Sequence, residues 1–423
     1  MNVKYDRCFG TELFTSDGRR ILDCLSGYCV HNIGHNHPYV IQALKDEMDR
    51  CGPAMLQSHV PEIAGDLARR LGDLAGGDLR KVFFGSSGSE GVEAAIKFAR
   101  AATGRAGMLS ATNGFHGLTT GALSLMTDAF WREGFDPLLQ DVASIPFGDL
   151  AALERQLNTR HFAAFVVEPL QSEAGINVAP VGYMQAVQEI CRRTGTLFVL
   201  DEVQTGMFRT GPFLAAHHYG IKPDIVVLAK ALSGGLVPVS ATLMTDAVYE
   251  RVYSSLRRAI VHTSTFSENS LSMRAGLATL DVLERQSLGQ RAGVLGEMLR
   301  TRLREELSSF EMVKEIRGLG MLSGIEFKSP SKLTLKIPFE SFRAIHPAMF
   351  GQIVVMRMFR DKGILTQICG NNFMVLKVAP PLVVTEGEIE EFVAAIRDVV
   401  NDMHSSPSFW TEALGLAKRA VNI

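Results

Sequence analysis

Leu197-Phe-Val-Leu-Asp-Glu-Val-Gln-Thr-Gly206 and Pro223-Asp-Ile-Val-Val-Leu-Ala-Lys-Ala-Leu-Ser-Gly-Gly235 are the stretches that decide the fold. Each contains a short, continuously apolar run with an ionisable side chain at its end. Continuous rather than alternating hydrophobicity fits strands buried on both faces. Similar runs occur at 81–84, 162–167, 196–200 and 225–228, and helical patterns such as 90–102 and 182–193 lie between them. Strand–helix alternation of this kind predicts an α/β fold with a mostly parallel sheet covered by helices.

Further out the texture changes. Residues 271–307 read as one long helix, weakened by Gly289 and Gly293. A strand–turn–strand is expected over 313–327, two more strands over 363–381, and a closing helix over 386–400. The apolar-rich stretch 329–359 gives no clear assignment. The expected organisation is an N-terminal arm over 1–40, a large domain over 41–290 and a smaller α+β domain over 291–423.

The 423 residues suffice for two or three packing units. Lys plus Arg is 43 and Asp plus Glu 45, a balance that argues against nucleic acid or anionic membrane as main partner. The six cysteines form no CxxC pair and read as reduced thiols. His35 and His37 match no metal-ligand spacing, so no metal is expected. No signal peptide or membrane-spanning run is visible, so a cytoplasmic location is expected.

Three segments carry candidate chemistry. In Phe83-Phe-Gly-Ser-Ser-Gly-Ser-Glu-Gly91 a strand ends and a helix begins. Ser87 and Glu90 make a capping box. The N–H groups of Gly88 and Ser89 would face an anion there, and Gly88 lets a phosphate approach the backbone. Neither the GxGxxG nor the P-loop spacing is met. Asp201 ends a strand at the carboxyl edge, where open α/β sheets bind ligands. A carboxylate there can keep a pyridine nitrogen protonated and make the ring an electron sink. Val203 could pack on the ring and Gln204 reach its hydroxyl. Lys230 follows the next run at the same edge. A partly desolvated lysine has a lowered pKa, which suits imine formation and proton shuttling. Taken singly, each has a plain structural explanation: a helix cap, a capping Asp, a Lys with a packed stem. Together at one edge they do not.

The chain resembles the class III, or ω-, aminotransferases among the fold type I pyridoxal-phosphate enzymes, from about residue 10 to residue 400. Seven segments match in order. The Ser-Gly-Ser-Glu turn at 87–90 resembles the phosphate cup. Phe115-His116-Gly117 resembles the aromatic segment that stacks on the cofactor ring, and Glu168-Pro-Leu-Gln171 the family's Glu-Pro-Ile-Gln. Asp201-Glu-Val-Gln204 resembles the pyridine-binding segment, and Lys230 the imine lysine. His262-Thr-Ser-Thr-Phe266 resembles the segment whose threonine, here Thr265, reaches the neighbouring subunit's phosphate. Pro380-Pro-Leu382 resembles the closing strand of the small domain. Arg209 and Arg317 resemble a structural turn arginine and a domain-interface arginine. The resemblance implies pyridoxal 5'-phosphate as cofactor and a homodimer with active sites at the interface. It also implies a reaction in two halves, with an amine donor and a carbonyl acceptor.

The ornithine and acetylornithine branch is the most similar. Leu25-Ser-Gly-Tyr28 resembles its pocket segment, with Tyr28 at the substrate-contacting tyrosine, and Glu173 resembles its gateway glutamate. The arginine that partners this glutamate in the family is replaced by Lys377, which keeps the charge and loses the bidentate grip. A Glu173–Lys377 switch that opens for the acceptor's carboxylate is expected. The family's arginine after His-Gly is replaced by Leu118, which cannot hold a carboxylate. Leu118 suits a substrate that is uncharged or greasy at its far end, and the apolar stretch 338–359 points the same way. The similarity extends to members that aminate long-chain, polyketide- or hopanoid-derived aldehydes. Family members usually carry extra residues before Gly10, so part of the substrate surface is expected to be missing or built differently. Two alternatives stand beside transamination. One is another reaction of the same cofactor, as a decarboxylase, epimerase or aminomutase. The other is a non-catalytic binder of phosphorylated ligands, for which neither Asp201 nor Lys230 would be needed.

Overall fold

The computed structural model describes residues 3–55, 61–345, 349–370, 373–405 and 409–411. Contacts divide the chain into two compact units. One comprises Asn36–Ser172 and Val178–Gly289; the other comprises Met1–His35, Glu173–Asn177 and Gln290–Ile423.

The first unit is built on a seven-stranded sheet. Its strands are β1 (Lys81–Gly85), β2 (Gly107–Ala111), β3 (Val142–Ile145), β4 (Phe162–Val167), β5 (Leu197–Asp201), β6 (Ile225–Leu228) and β7 (Ser240–Met244). They lie in the order β1-β7-β6-β5-β4-β2-β3. Only β7 runs against the rest; it pairs antiparallel with both β6 and β1. The parallel ladder sets Val199 opposite Ile225 and Asp201 opposite Val227. The sheet is therefore mostly parallel, and β2, β4, β6 and β7 are buried along their whole length.

Helix Gly88–Thr103 packs its Val92, Ala95, Ile96 and Ala99 into the core on one face. The approach is close because Gly91 faces the sheet. A Cβ there would come within 2.7 Å of Val227 Cγ1.

The second unit contains β8 (Val313–Leu319), β9 (Leu322–Phe327), β10 (Gln367–Cys369) and β11 (Val375–Val378), in the order β8-β9-β11-β10. The N-terminal residues form three strands, Tyr5–Phe9, Glu12–Thr15 and Arg20–Asp23, and Ile364–Leu365 adds a fourth in parallel. The closing helix runs over Glu386–Ser405.

Two local expectations are corrected. The long helix over 271–307 is two helices, Ser270–Arg285 and Leu288–Leu307. They part at Ser287, whose φ of +50° lies outside the helical region, so neither glycine is the breaker. The stretch 329–359 holds helices Leu333–Ile345 and Met349–Lys362, with 346–348 outside the described residues. Its Phe339, Phe350, Val354 and Met358 are fully buried. Phe350 packs edge-on against Phe327 and Phe339. These side chains form core, so they lend no support to an apolar substrate. Among the described residues no helix is long and apolar enough to cross a membrane.

Candidate active site

The carboxyl edge of the large sheet gathers the candidate residues. Strands β1, β2, β4, β5 and β6 all end there. Because β7 runs the other way it begins there, with Ser240 opposite Gly85.

The helix after β1 starts at this edge. Ser87 is extended, and its hydroxyl accepts the Glu90 N–H at 3.2 Å. The Glu90 carboxylate accepts the Ser86 N–H at 2.7 Å. Gly88 and Ser89 follow in the first turn, whose amides have no partner within the helix and form the positive end of its dipole. A Cβ on Gly88 would approach Val203 Cγ1 to 3.0 Å, so the helix start and the segment after β5 are closely apposed. The Ser89 hydroxyl accepts the Leu118 N–H at 2.9 Å. Gly117, with φ +118°, is needed for that approach, since a Cβ would fall 2.0 Å from the hydroxyl.

Asp201 is the last residue of β5 and is buried. One carboxylate oxygen accepts from His116 Nδ1 at 2.8 Å, the other from the Val203 N–H at 3.1 Å. The His116 ring is buried. Burial works against its charge, but the bond and charge of Asp201, with Glu168 nearby, outweigh it and raise its pKa. Its Nε2 has no hydrogen-bond partner among the described residues. Glu168 follows β4 and accepts the Phe115 N–H at 3.0 Å and the Ser172 N–H at 3.1 Å. Burial pushes its carboxyl up to about 7. Phe115 is half-buried, its ring edge-on to Trp131 at 5.3 Å. Gln204 is buried just past Val203.

Lys230 opens a short 3-10 turn, Lys230–Ser233, immediately after β6. Its φ is +45°, a region that side-chain-bearing residues enter at a cost and that clusters at functional sites. Asp201 and Lys230 thus close neighbouring parallel strands.

Thr265 is exposed, in a segment anchored by His262, which accepts from Lys97 Nζ at 2.8 Å and packs on Phe83 and Phe98. Leu118 is exposed.

The other unit brings Tyr28, Glu173 and Lys377 together. Lys377, on β11, is fully buried and donates to Glu173. Its ammonium lies 5.4 Å from the centroid of the Tyr28 ring. Burial opposes its charge, yet the Glu173 carboxylate holds its pKa above the ordinary lysine value. Arg317 donates to the Gly175 carbonyl at 2.7 Å and the Ile176 carbonyl at 3.1 Å within this unit.

Spacing could not reveal the His116–Asp201 bond, which spans 85 positions, or the two amides held by Glu168. Trp131 carries no motif at all.

The Aminotransferase class-III family pattern matches residues 1–400. The chain belongs to the class-III aminotransferases. Aminotransferase PigE of Serratia sp. is 36% identical over 430 residues, covering 94% of this chain and 50% of that protein. The chain thus spans about half the length of that relative. A putrescine aminotransferase of Pectobacterium atrosepticum is 35% identical, covering 93% of this chain and 81% of the relative. The crystal structure of ornithine aminotransferase from Toxoplasma gondii superposes with a TM-score of 0.85 at 31% identity, over 96% of this chain and 91% of that one. The class-III aminotransferase described here shares the fold type I architecture and the pyridoxal-phosphate dependence of this family. The edge residues fit that group. A carboxylate held by a buried histidine suits a protonated ring nitrogen, a capped helix start suits a phosphate, and a strained lysine suits an aldehyde.

Proposed function

We propose that this class-III aminotransferase moves an amino group from an ω-amine or amino-acid donor to a 2-oxo acid or aldehyde acceptor. The observation that carries the proposal is the pairing of Asp201 with Val227, because Lys230 opens the turn that follows the adjacent strand, three residues past Val227.

Pyridoxal phosphate supplies an aldehyde that captures the amine and a ring that takes up the electron pair left at the donor carbon. Lys230 would anchor the aldehyde and then carry the proton between the donor carbon and the cofactor carbon. Asp201 would keep the ring nitrogen protonated, and His116, at 2.8 Å from its carboxylate, would hold Asp201 in orientation. The amides of Gly88 and Ser89 would receive the phosphate. Phe115 and Val203 would pack on the ring, and Gln204 would reach its hydroxyl. Glu168 would fix the Phe115 backbone through the 3.0 Å bond to its N–H.

Leu118, exposed and apolar beside the Ser89 tie, supports a substrate without a carboxylate at its far end. Diamines and long-chain aldehydes follow as first probes. We further propose a homodimer in which Thr265 reaches the phosphate of the partner subunit.

The test is the half-reaction spectrum with a panel of amines. Loss of the aldehyde band with release of an aldehyde or keto acid is expected from the wild type, and no such change from Lys230→Ala. Carbon dioxide release, or racemisation with the band retained, would identify a different reaction of the same cofactor.

A further inference from the structure

The segment that follows Phe115 and His116 is tied to helix Gly88–Thr103 by two side chains one turn apart. Ser89 and Glu93 stand four positions apart, on one face of that helix. The Ser89 hydroxyl accepts the Leu118 N–H at 2.9 Å and the Thr119 N–H at 3.4 Å. One oxygen of Glu93 accepts the Gly121 N–H at 2.7 Å and the Ala122 N–H at 3.2 Å. The Glu93 bonds are a helix cap supplied from another helix. Gly121 and Ala122 are the second and third residues of helix Thr120–Ser124, and both are buried. A cap side chain ordinarily satisfies these amides. Thr119, in the cap position, makes no such bond. Gly121 permits the substitute cap, since a Cβ there would fall 2.2 Å from Glu93 Oε2.

We propose that Glu93 is a positioning residue for the cofactor's phosphate: by capping Thr120–Ser124 it holds the Leu118 and Thr119 amides on Ser89 and so makes the Ser89 hydroxyl a dedicated donor to that phosphate. The inference deepens the placement of the phosphate at the Gly88 and Ser89 amides and rests on it. A hydroxyl has two lone pairs and one proton. Two amides occupy the lone pairs of Ser89, so only its proton is left to give. Among the described residues no acceptor takes that proton. A phosphate at the helix start would take it in a charge-assisted bond, strengthened because the two N–H groups polarise the oxygen. Without the amides the same hydroxyl could turn its lone pairs toward the anion or bind water. Glu93 bonds only to backbone amides, and its effect passes through Ser89.

The experiment takes two readings on the holoenzyme: the phosphorus-31 resonance of the bound cofactor and the rate of cofactor loss on dilution. Ser89→Ala is expected to move the resonance and to speed the loss roughly tenfold. Glu93→Ala is expected to move the resonance the same way and to speed the loss roughly fivefold. Glu93→Gln keeps an oxygen for both amides and should stay within about twofold of the wild type. Gly121→Ala, whose methyl displaces the Glu93 carboxylate, should follow Glu93→Ala and carries the test if that variant does not fold. In a background of Ser89→Ala, adding Glu93→Ala should speed the loss by no more than about twofold further. Multiplying losses overturn the proposal, as does a wild-type resonance in both Glu93→Ala and Gly121→Ala; the phosphate placement then stands. A Glu93→Gln as impaired as Glu93→Ala also overturns it, because the effect would belong to charge rather than to the cap. Ser89→Ala indistinguishable from the wild type in both readings removes the phosphate placement itself, and the inference with it.

Discussion

Asp201 and Glu168 are two buried carboxyl groups with different hydrogen-bond partners. Asp201 has a histidine donor; Glu168 has only two amides and sits among other ionisable groups. Replacing Asp201 with Asn keeps the shape and removes the charge that would hold the ring proton. We expect kcat to fall by roughly 100-fold or more with cofactor still bound, checked by single-turnover kinetics and absorbance. Glu168 makes a stability prediction. Its folded pKa of about 7 lies above its ordinary value of 4.5. The folded chain therefore keeps a proton that the unfolded chain releases. The stabilisation is full below the unfolded value and is lost as pH rises through about 7. The raised pKa of His116 acts in the same sense. Between about pH 5.5 and about pH 8.5 the Glu168 contribution falls by roughly 2 kcal/mol. Guanidinium denaturation should show the wild type losing that much more than Glu168→Gln over the same range; equal slopes would refute the shift. At this scale the sequence exposed what ends a run and hid what crosses the chain. Asp201 and Lys230 were legible because each breaks an apolar stretch. The His116 donor depends on a partner that folding brings from another segment, Asp201.

Among elements, helix Gly88–Thr103 does two jobs: its start faces the site and its flank closes the core. The capping box was legible in Ser-x-x-Glu, although Glu90 reaches back to the Ser86 amide rather than to that of Ser87. Ser87→Ala should cost about 1 kcal/mol and weaken cofactor affinity, since it frays the turn that would hold the phosphate. Gly91→Ala should act differently. Its methyl would meet Val227 at 2.7 Å and Thr242 at 3.2 Å, lifting the helix from the sheet. A loss of about 1–3 kcal/mol is expected from overpacking, read as a lower Tm with the cap intact. Strand content was partly legible. The runs ending at Asp201 and before Lys230 stood out, whereas β2, Gly-Met-Leu-Ser-Ala, is too small-residued to register as an apolar run. Strand order and the reversed β7 follow from crossovers and ladder pairing, which no local pattern encodes. The helix break at Ser287 escaped notice for a related reason: a positive φ at a serine leaves no compositional mark.

For the molecule as a whole, the unexplained feature is exposed apolar surface. Leu256 is 96% exposed and Ile260 79%, in the same stretch as Thr265 and the exposed Phe266. A second copy of the chain would cover such surface, as the proposed homodimer requires. Sedimentation should then report twice the 46.2 kDa of one chain. A stronger test asks whether each site draws on both subunits. Lys230→Ala removes the anchor within a chain; Thr265→Asp would place a negative charge against the partner's phosphate. Each variant alone should be inactive. When the two are unfolded together and refolded, about half of the dimers are mixed by random pairing. In a mixed dimer one site carries both defects. The other combines an intact Lys230 with the intact Thr265 of its partner and should work. About one quarter of wild-type activity is therefore expected in the mixture. If Thr265 served the site of its own chain, every site would carry one defect, and mixing would restore nothing.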